Sequence, residues 1–389
     1  MNPIRLFVWT GVVLLWLGIA ATGYSQSSGT IIGSVLDPSG ARIPGASVSL
    51  DNRNSGVHRT TVSNETGFYS FTALLPGEYE VSADLAGFEK VVRRATVNVG
   101  RDTTVDLAMK VGGLTESVDI VADAPQVNLV DSKVDGIINR AQVANLPLNG
   151  RNAYELAALV PGVRVEATSS RNTQVAISIA GARNNSVRVT VDGISAVDYT
   201  NGGTAQNFSQ EVVQEFQVNT SNFDPAVGVT SAGAVNIVTR SGGNDLHGTV
   251  FSYFRNNQYA AFPALGRPLP KQNPGNDPKL AAFNESQARP EFYRRQFGGT
   301  FSGPVIKNRL FWLASVEATR QTSVNTFDAN FDEFQPLNVI QEQPLKNLTQ
   351  NYRLDWRASG KHSLFLRFSR DGFESRRGSG LPRGYAPAA

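Results

Sequence analysis

The sequence predicts a mostly β protein of three modules, the last of which is the start of an antiparallel transmembrane β-barrel. Three observations carry this. Short runs between Leu246 and Gly372 alternate apolar and polar side chains. The connectors between those runs are by turns long and very short, as in outer-membrane barrels. An N-terminal export segment precedes both other modules.

The candidate barrel strands are Leu246 to Arg255, Arg295 to Val305, Arg309 to Thr319, Asn351 to Ser359 and His362 to Arg370. Each is near the roughly 9 to 11 residues that a tilted strand needs to cross hydrocarbon. A Pro-, Asn- and Gly-rich stretch from Asn256 to Tyr293 separates the first two, and only Ile306-Lys307-Asn308 the next two. The third and fourth are far apart again, and Gly360-Lys361 joins the fourth to the fifth. Phe297, Gly299, Phe301 and Gly303 alternate with Gly298, Thr300 and Ser302; Tyr352, Leu354, Trp356 and Ala358 alternate with Arg353, Asp355 and Arg357. One face is therefore apolar and the other polar. A soluble β-sandwich with incidental long loops has the same periodicity; the export segment weighs against it.

That segment, residues 1–25, has a single cation at Arg5, an apolar run from Leu6 to Ala21, and Gly23 and Ser25 placed for cleavage before Gln26. This is the pattern of a secretory signal peptide. A retained helical anchor is the alternative, but the run is shorter than the roughly 20 residues a spanning helix needs. With Cys 0, the chain has neither a lipoprotein acylation site nor a disulfide framework. Lys+Arg 36 against Asp+Glu 33 leaves a net charge of +3, spread along the sequence, which gives no reason to expect nucleic acid.

Residues 27–110 read as a small β-sandwich. Ile31 to Leu36, Ala46 to Leu50, His58 to Val62, Phe68 to Thr72, Tyr79 to Leu85, Val91 to Val99 and Val105 to Met109 are separated by turn signals. Pro38-Ser39-Gly40, Pro44-Gly45 and Pro76-Gly77 combine a proline-fixed φ with a glycine for positive φ. The spacing Gly33-x-Val35, Asp37-x-Ser39-Gly40, Ile43-Pro44-Gly45-Ala46, Thr66-Gly67-x-Tyr69-x-Phe71, Leu75-Pro76-Gly77-x-Tyr79-x-Val81 and Gly87-Phe88 resembles the carboxypeptidase regulatory-like domain. The resemblance implies a transthyretin-like sandwich that is not catalytic. The three histidines, His58, His247 and His362, are isolated and form no zinc-ligand spacing, so neither a metal nor a cofactor is expected.

Residues 111–245 form the second module. It opens with Gly112-Gly113 and a short run of strand formers, Thr115 to Ala122. Leu146-Pro147-Leu148-Asn149-Gly150-Arg151-Asn152 follows, then a helical stretch from Ala153 to Leu159 that stops at Pro161-Gly162. Next come Ile177-x-Ile179-x-Gly181-Ala182-Arg183, Val187-x-Val189-x-Val191-Asp192-Gly193-Ile194, Glu215-Phe216-Gln217-Val218 and Gly233 to Asn244. In this order the series resembles the α+β plug domain of TonB-dependent outer-membrane receptors, in particular the Oar-like branch that carries the regulatory-like sandwich. Phe297 to Pro304 and Lys307 to Trp312 resemble that branch's barrel hairpin within residues 246–389.

The resemblance implies a receptor in a Gram-negative type outer membrane, in contact with its lipid, that imports an unidentified substrate when TonB and its inner-membrane energising complex act on the plug. Strand addition by TonB needs an extended segment. Glu116, Ser117, Val118, Asp119, Ile120 and Val121 are the candidate, with an ordinary linker or first plug strand as the alternative. Arg183, Arg188 and Asp192 are candidate ion-pair residues inside the plug, and structural charge satisfaction is their blander role. Phe327 to Phe334 interleaves aromatics with carboxylates and could meet a sugar or a cation, although solvated loop chemistry explains it as well. A family barrel has many more strands than the five here, so the sequence reads as an N-terminal fragment, or as one chain of a split receptor whose remaining strands come from a second chain. A surface adhesin or outer-membrane assembly protein using the sandwich and long loops is the alternative function. No nucleophile–base pair or metal cluster points to an enzyme.

Overall fold

The structure is a computed structural model, which describes residues 28–112, 119–121, 134–148, 150–167, 174–182, 186–198, 200, 202–221, 230–259, 278, 281, 291–327, 339–359 and 362–375. The signal-peptide segment, Arg183 and the loop after Phe327 as far as Phe334 lie outside the described residues.

The sandwich is formed by β1 (Gly29–Leu36), β2 (Ser47–Asn52), β3 (Val57–Val62), β4 (Phe68–Leu74), β5 (Gly77–Asp84), β6 (Val91–Val97), β7 (Asp102–Thr104) and β8 (Leu107–Ala108). One sheet runs β4-β1-β7, with β8 also on β1; the other runs β3-β2-β5-β6 and is extended by β9 (Asp119–Val121). Alternate residues meet between the sheets, with Ile31, Val35, Val48, Leu50, Tyr69, Phe71, Val81, Leu107 and Met109 in one core. Within the expected strand from Val105 to Met109 only β8 forms, and β7 lies just before it; both run parallel to β1. Between them the Val105 carbonyl accepts from Tyr69 Oη at 2.5 Å. A Cβ on Gly33 would lie 1.8 Å from that same carbonyl, so only glycine lets the layers approach there.

The second module contains β10 (Val134–Ile138), α1 (Arg140–Asn145), β11 (Val163–Ala167), β12 (Val175–Ile179), β13 (Val187–Val191), β14 (Ile194–Ser195), β15 (Val197–Asp198), β16 (Gly203–Thr204), β17 (Val213–Ser221) and β18 (Gly233–Thr239). Its main sheet has the order β10-β17-β18-β13-β14, with β13 parallel to β18. Asn139 and Gln142 close a capping box on α1. The predicted helix from Ala153 to Leu159 is a 3-10 helix, capped by Asn152 and followed by Pro161 and a positive-φ Gly162. At seven residues it is long for that tighter winding. Every residue of β18 is buried, which makes it the central strand of the module.

The last module is one antiparallel meander of β19 (His247–Asn256), β20 (Phe292–Ile306), β21 (Leu310–Phe327), β22 (Val339–Arg357) and β23 (Ser363–Ser375). Its burial is inverted relative to a water-soluble sheet. Phe297, Phe301, Leu354, Trp356, Leu364, Leu366 and Phe368 are exposed, while Gln296, Thr300, Ser302, Ser315, Glu317, Asn347, Thr349, Asn351 and Arg353 are buried. The polar face lies against the second module, and Leu313 joins that module's core. An apolar exterior over a polar interior is what a barrel wall in lipid requires. No helix among the described residues is long and apolar enough to cross a membrane.

Candidate functional site

The polar inner face and the second module meet in two buried clusters of charge. The first is centred on Asp192, in the turn after β13. Its backbone is left-handed, with φ 49, a conformation that asparagine and aspartate tolerate better than most residues. Its carboxylate accepts from the Thr239 amide at 2.8 Å and the Thr239 hydroxyl at 2.7 Å. Arg367 of β23 pairs with it at 2.8 Å and Arg353 of β22 at 3.5 Å. Arg353 also donates to Thr239 Oγ1 at 2.7 Å and pairs with Asp355 at 2.8 Å. Arg353 and Arg367 face each other across the strand pair, so two carboxylates, Asp192 from the plug side and Asp355 from the wall, serve two adjacent cations. The guanidinium of Arg353 lies over the Phe365 ring and that of Arg367 over the Phe208 ring.

The second cluster joins Arg140, Arg151 and Glu211 of the second module to Glu317 of β21. Glu211 binds Arg140 at 3.1 Å and Arg151 at 3.0 Å. Arg151 lies 3.7 Å from Glu317, whose other oxygen accepts from Ser209 Oγ at 2.5 Å. Arg151 also covers the Phe251 and Tyr253 rings of β19, at 4.1 and 4.8 Å from their centroids. Burial acts to raise the pKa of Glu211, but the hydrogen bond and charge of Arg151, with those of Arg140, hold it below the usual carboxylate range. Like Asp192, Arg151 has a positive φ, here 59.

Family models match the chain in the order of its modules. A carboxypeptidase regulatory-like domain matches residues 30–110, a TonB-dependent receptor plug domain residues 121–235, and an outer membrane beta barrel domain residues 238–331. The TonB-dependent transporter Oar of Myxococcus xanthus is 30% identical over 346 residues, which cover 85% of this chain. The chain belongs to the TonB-dependent outer-membrane receptors. It spans 30% of the length of Oar. The siderophore receptor PirA from Acinetobacter baumannii is 18% identical in sequence, with a TM-score of 0.43 over 64% of this chain and 33% of that one. The outer membrane transporter YddB from Escherichia coli is 13% identical, with a TM-score of 0.47 over 62% of this chain and 33% of that one.

In this TonB-dependent receptor chain, Asp192 makes its ion pairs with the barrel wall rather than within the plug as expected. Arg188 lies on β13, and its buried Nε has no hydrogen-bond partner among the described residues. Of the candidate TonB-pairing segment, Glu116, Ser117 and Val118 lie outside the described residues. Asp119, Ile120 and Val121 form β9, paired in parallel with Val91, Val92 and Arg93 of the sandwich. Sequence reasoning missed Arg140, Glu211, Glu317, Arg353 and Arg367 as partners. The available signal was charge on the inward face of a barrel strand, as in Arg353-x-Asp355.

The regulatory-like sandwich also touches the receptor's other two modules. Glu215 of β17 is buried and accepts from the Val99 amide at 2.7 Å; burial pushes its carboxyl up to about 7, against the opposing Val99 hydrogen bond and the Arg101 charge. On the barrel side, the Asn244 amide donates to the Asn54 carbonyl at 2.8 Å. Asn244 and Asn308 exchange two bonds of 2.8 Å, and Arg357 donates to the Ser55 carbonyl. Among the described residues no group of His, Cys, Asp and Glu could hold a metal ion.

Proposed function

We propose that this chain is the TonB-facing and plug-bearing part of an outer-membrane transporter that imports an external substrate when TonB pulls the plug from its seat. The observation that carries the reading is the plug–barrel contact through Asp192, Arg353, Arg367, Arg151 and Glu317. An apolar seal would resist entry of water as it opens. Ion pairs instead exchange protein partners for water as they part, and most of their Coulomb energy is recovered as hydration. Such an interface holds firmly at rest and opens under a directed load. Residues 1–25 direct export, the barrel strands meet outer-membrane lipid, and residues 116–121 supply the backbone to which TonB adds a strand.

The test uses the full-length receptor and the purified periplasmic domain of TonB. Removal of residues 115–122 is expected to abolish TonB binding and energy-dependent uptake while leaving the receptor folded and its outer ligand site intact. Undiminished TonB binding would overturn the assignment of the segment, and loss of outer ligand binding as well would count against it.

A further inference from the structure

We propose that the edge of β6 and TonB compete for the same backbone: Asp119–Val121 is stored as a strand on the sandwich and must leave it before TonB can take it. This rests on the reading of residues 116–121 as the TonB-pairing segment. Without β9, β6 would be the edge strand of its sheet, with backbone donors and acceptors open to any extended chain. β9 fills that edge in parallel, opposite Val91, Val92 and Arg93, whereas every other pair in this sheet is antiparallel. Pairing with β5 engages β6 from Val91 to Val97 and therefore outlasts any loss of β9.

The chain is also pinned beside this edge before β9 begins. The Glu89 amide donates to the Lys110 carbonyl at 2.8 Å, and the Gly112 amide to the Gly87 carbonyl at 3.1 Å. The segment is thus tethered close to β6 and meets it at a high effective concentration. A pairing of three residues is short enough for a longer strand addition to displace. TonB engagement then frees the sandwich edge at the same moment as it loads the plug.

Cysteines placed by Val92→Cys and Ile120→Cys in the full-length receptor put a thiol on each of two paired positions, in a sequence with Cys 0. Affinity for the TonB periplasmic domain is measured with the pair reduced and with it oxidised. Oxidation is expected to weaken binding at least ~tenfold, a difference of about 1.4 kcal/mol, with recovery on reduction; the reduced form serves as its own folding control. Hydrogen exchange at Val91 to Arg93 is expected to accelerate when the TonB domain is added to the reduced receptor. Equal binding in both redox states, or unchanged protection of β6, would mean that TonB adds to the outer edge of β9 without displacing it, and would overturn the competition. Removal of residues 115–122 separates the two readings. If it abolishes binding while oxidation does not, only the competition fails; if it leaves binding intact, the segment assignment and the competition fail together.

Discussion

Asp192 does the most with the fewest atoms. Its carboxylate accepts from Thr239 and faces Arg353 and Arg367, all of them buried or nearly so. Asp192→Asn keeps the shape and removes the charge, leaving two adjacent guanidinium groups under-compensated. Breaking a buried pair by removing one partner costs about 3–5 kcal/mol. The plug of the full-length Asp192→Asn receptor should therefore unseat at lower denaturant, read as faster hydrogen exchange at Thr239 with the barrel still folded; unchanged exchange there would refute the role. Glu215 predicts a pH effect of definite sign. Its carboxyl is raised from 4.5 to about 7, chiefly by burial, so the folded arrangement around it is most stable below about pH 4.5, loses that contribution as pH rises through 7, and is constant above that. The shift corresponds to roughly 3 kcal/mol. Cross-linking between Val99 and β17 should fall from pH 5 to pH 8, and Glu215→Gln should flatten that profile. Asp192 could be singled out from its turn beside β13, but its partner Arg367 is 175 residues away. Nothing in local patterning encodes a pair at that distance.

At the scale of elements, alternation was enough to find each barrel strand among the described residues, because lipid outside and a polar plug inside impose a period of two. Its lengths were less legible. β21 spans 18 residues and β22 spans 19, roughly 60 Å at about 3.3 Å per residue, well beyond the roughly 30 Å of hydrocarbon. The alternation, read over Arg309 to Thr319 and Asn351 to Ser359, caught only part of each and missed the remainder. The same inversion gives a face-specific prediction. Leu354→Arg places a charge on the lipid face at a cost of roughly 2–4 kcal/mol near the midplane, and should reduce the heat-modifiable folded form of the full-length receptor on gels. Thr349→Arg, on the buried face, should instead disturb plug seating while leaving insertion intact. Equal loss of the folded form in both variants would argue against a lipid-facing exterior. The sandwich strands were legible for a similar reason, since proline and glycine mark their turns. The pairing of β9 was not, because strand addition at an edge depends on which edge is open rather than on the added residues.

At the scale of the whole molecule, the sandwich is tied to the plug through Val99 and Glu215, and to the barrel turn through Asn54, Asn244 and Asn308. Asn308 has φ 63, a left-handed conformation that asparagine tolerates. Asn308→Gly should lose only the side-chain bond from Asn244, whereas Asn308→Ala also strains the turn; the sandwich should loosen more in the second, seen as a broader distance distribution between spin labels on sandwich and barrel. Equal distributions in wild type and both variants would show that the sandwich is held elsewhere. The order of the modules could be read from the sequence, but not their mutual contacts, which are made by single asparagines and backbone groups without any pattern of their own.

Arg353 and Arg367 face each other across neighbouring strands with a plug carboxylate between them. The plug is thus the counter-ion of the wall it closes. On the proposed withdrawal Arg367 would be left without its carboxylate and Arg353 with Asp355 alone, so the exposed stretch of wall would carry one uncompensated positive charge.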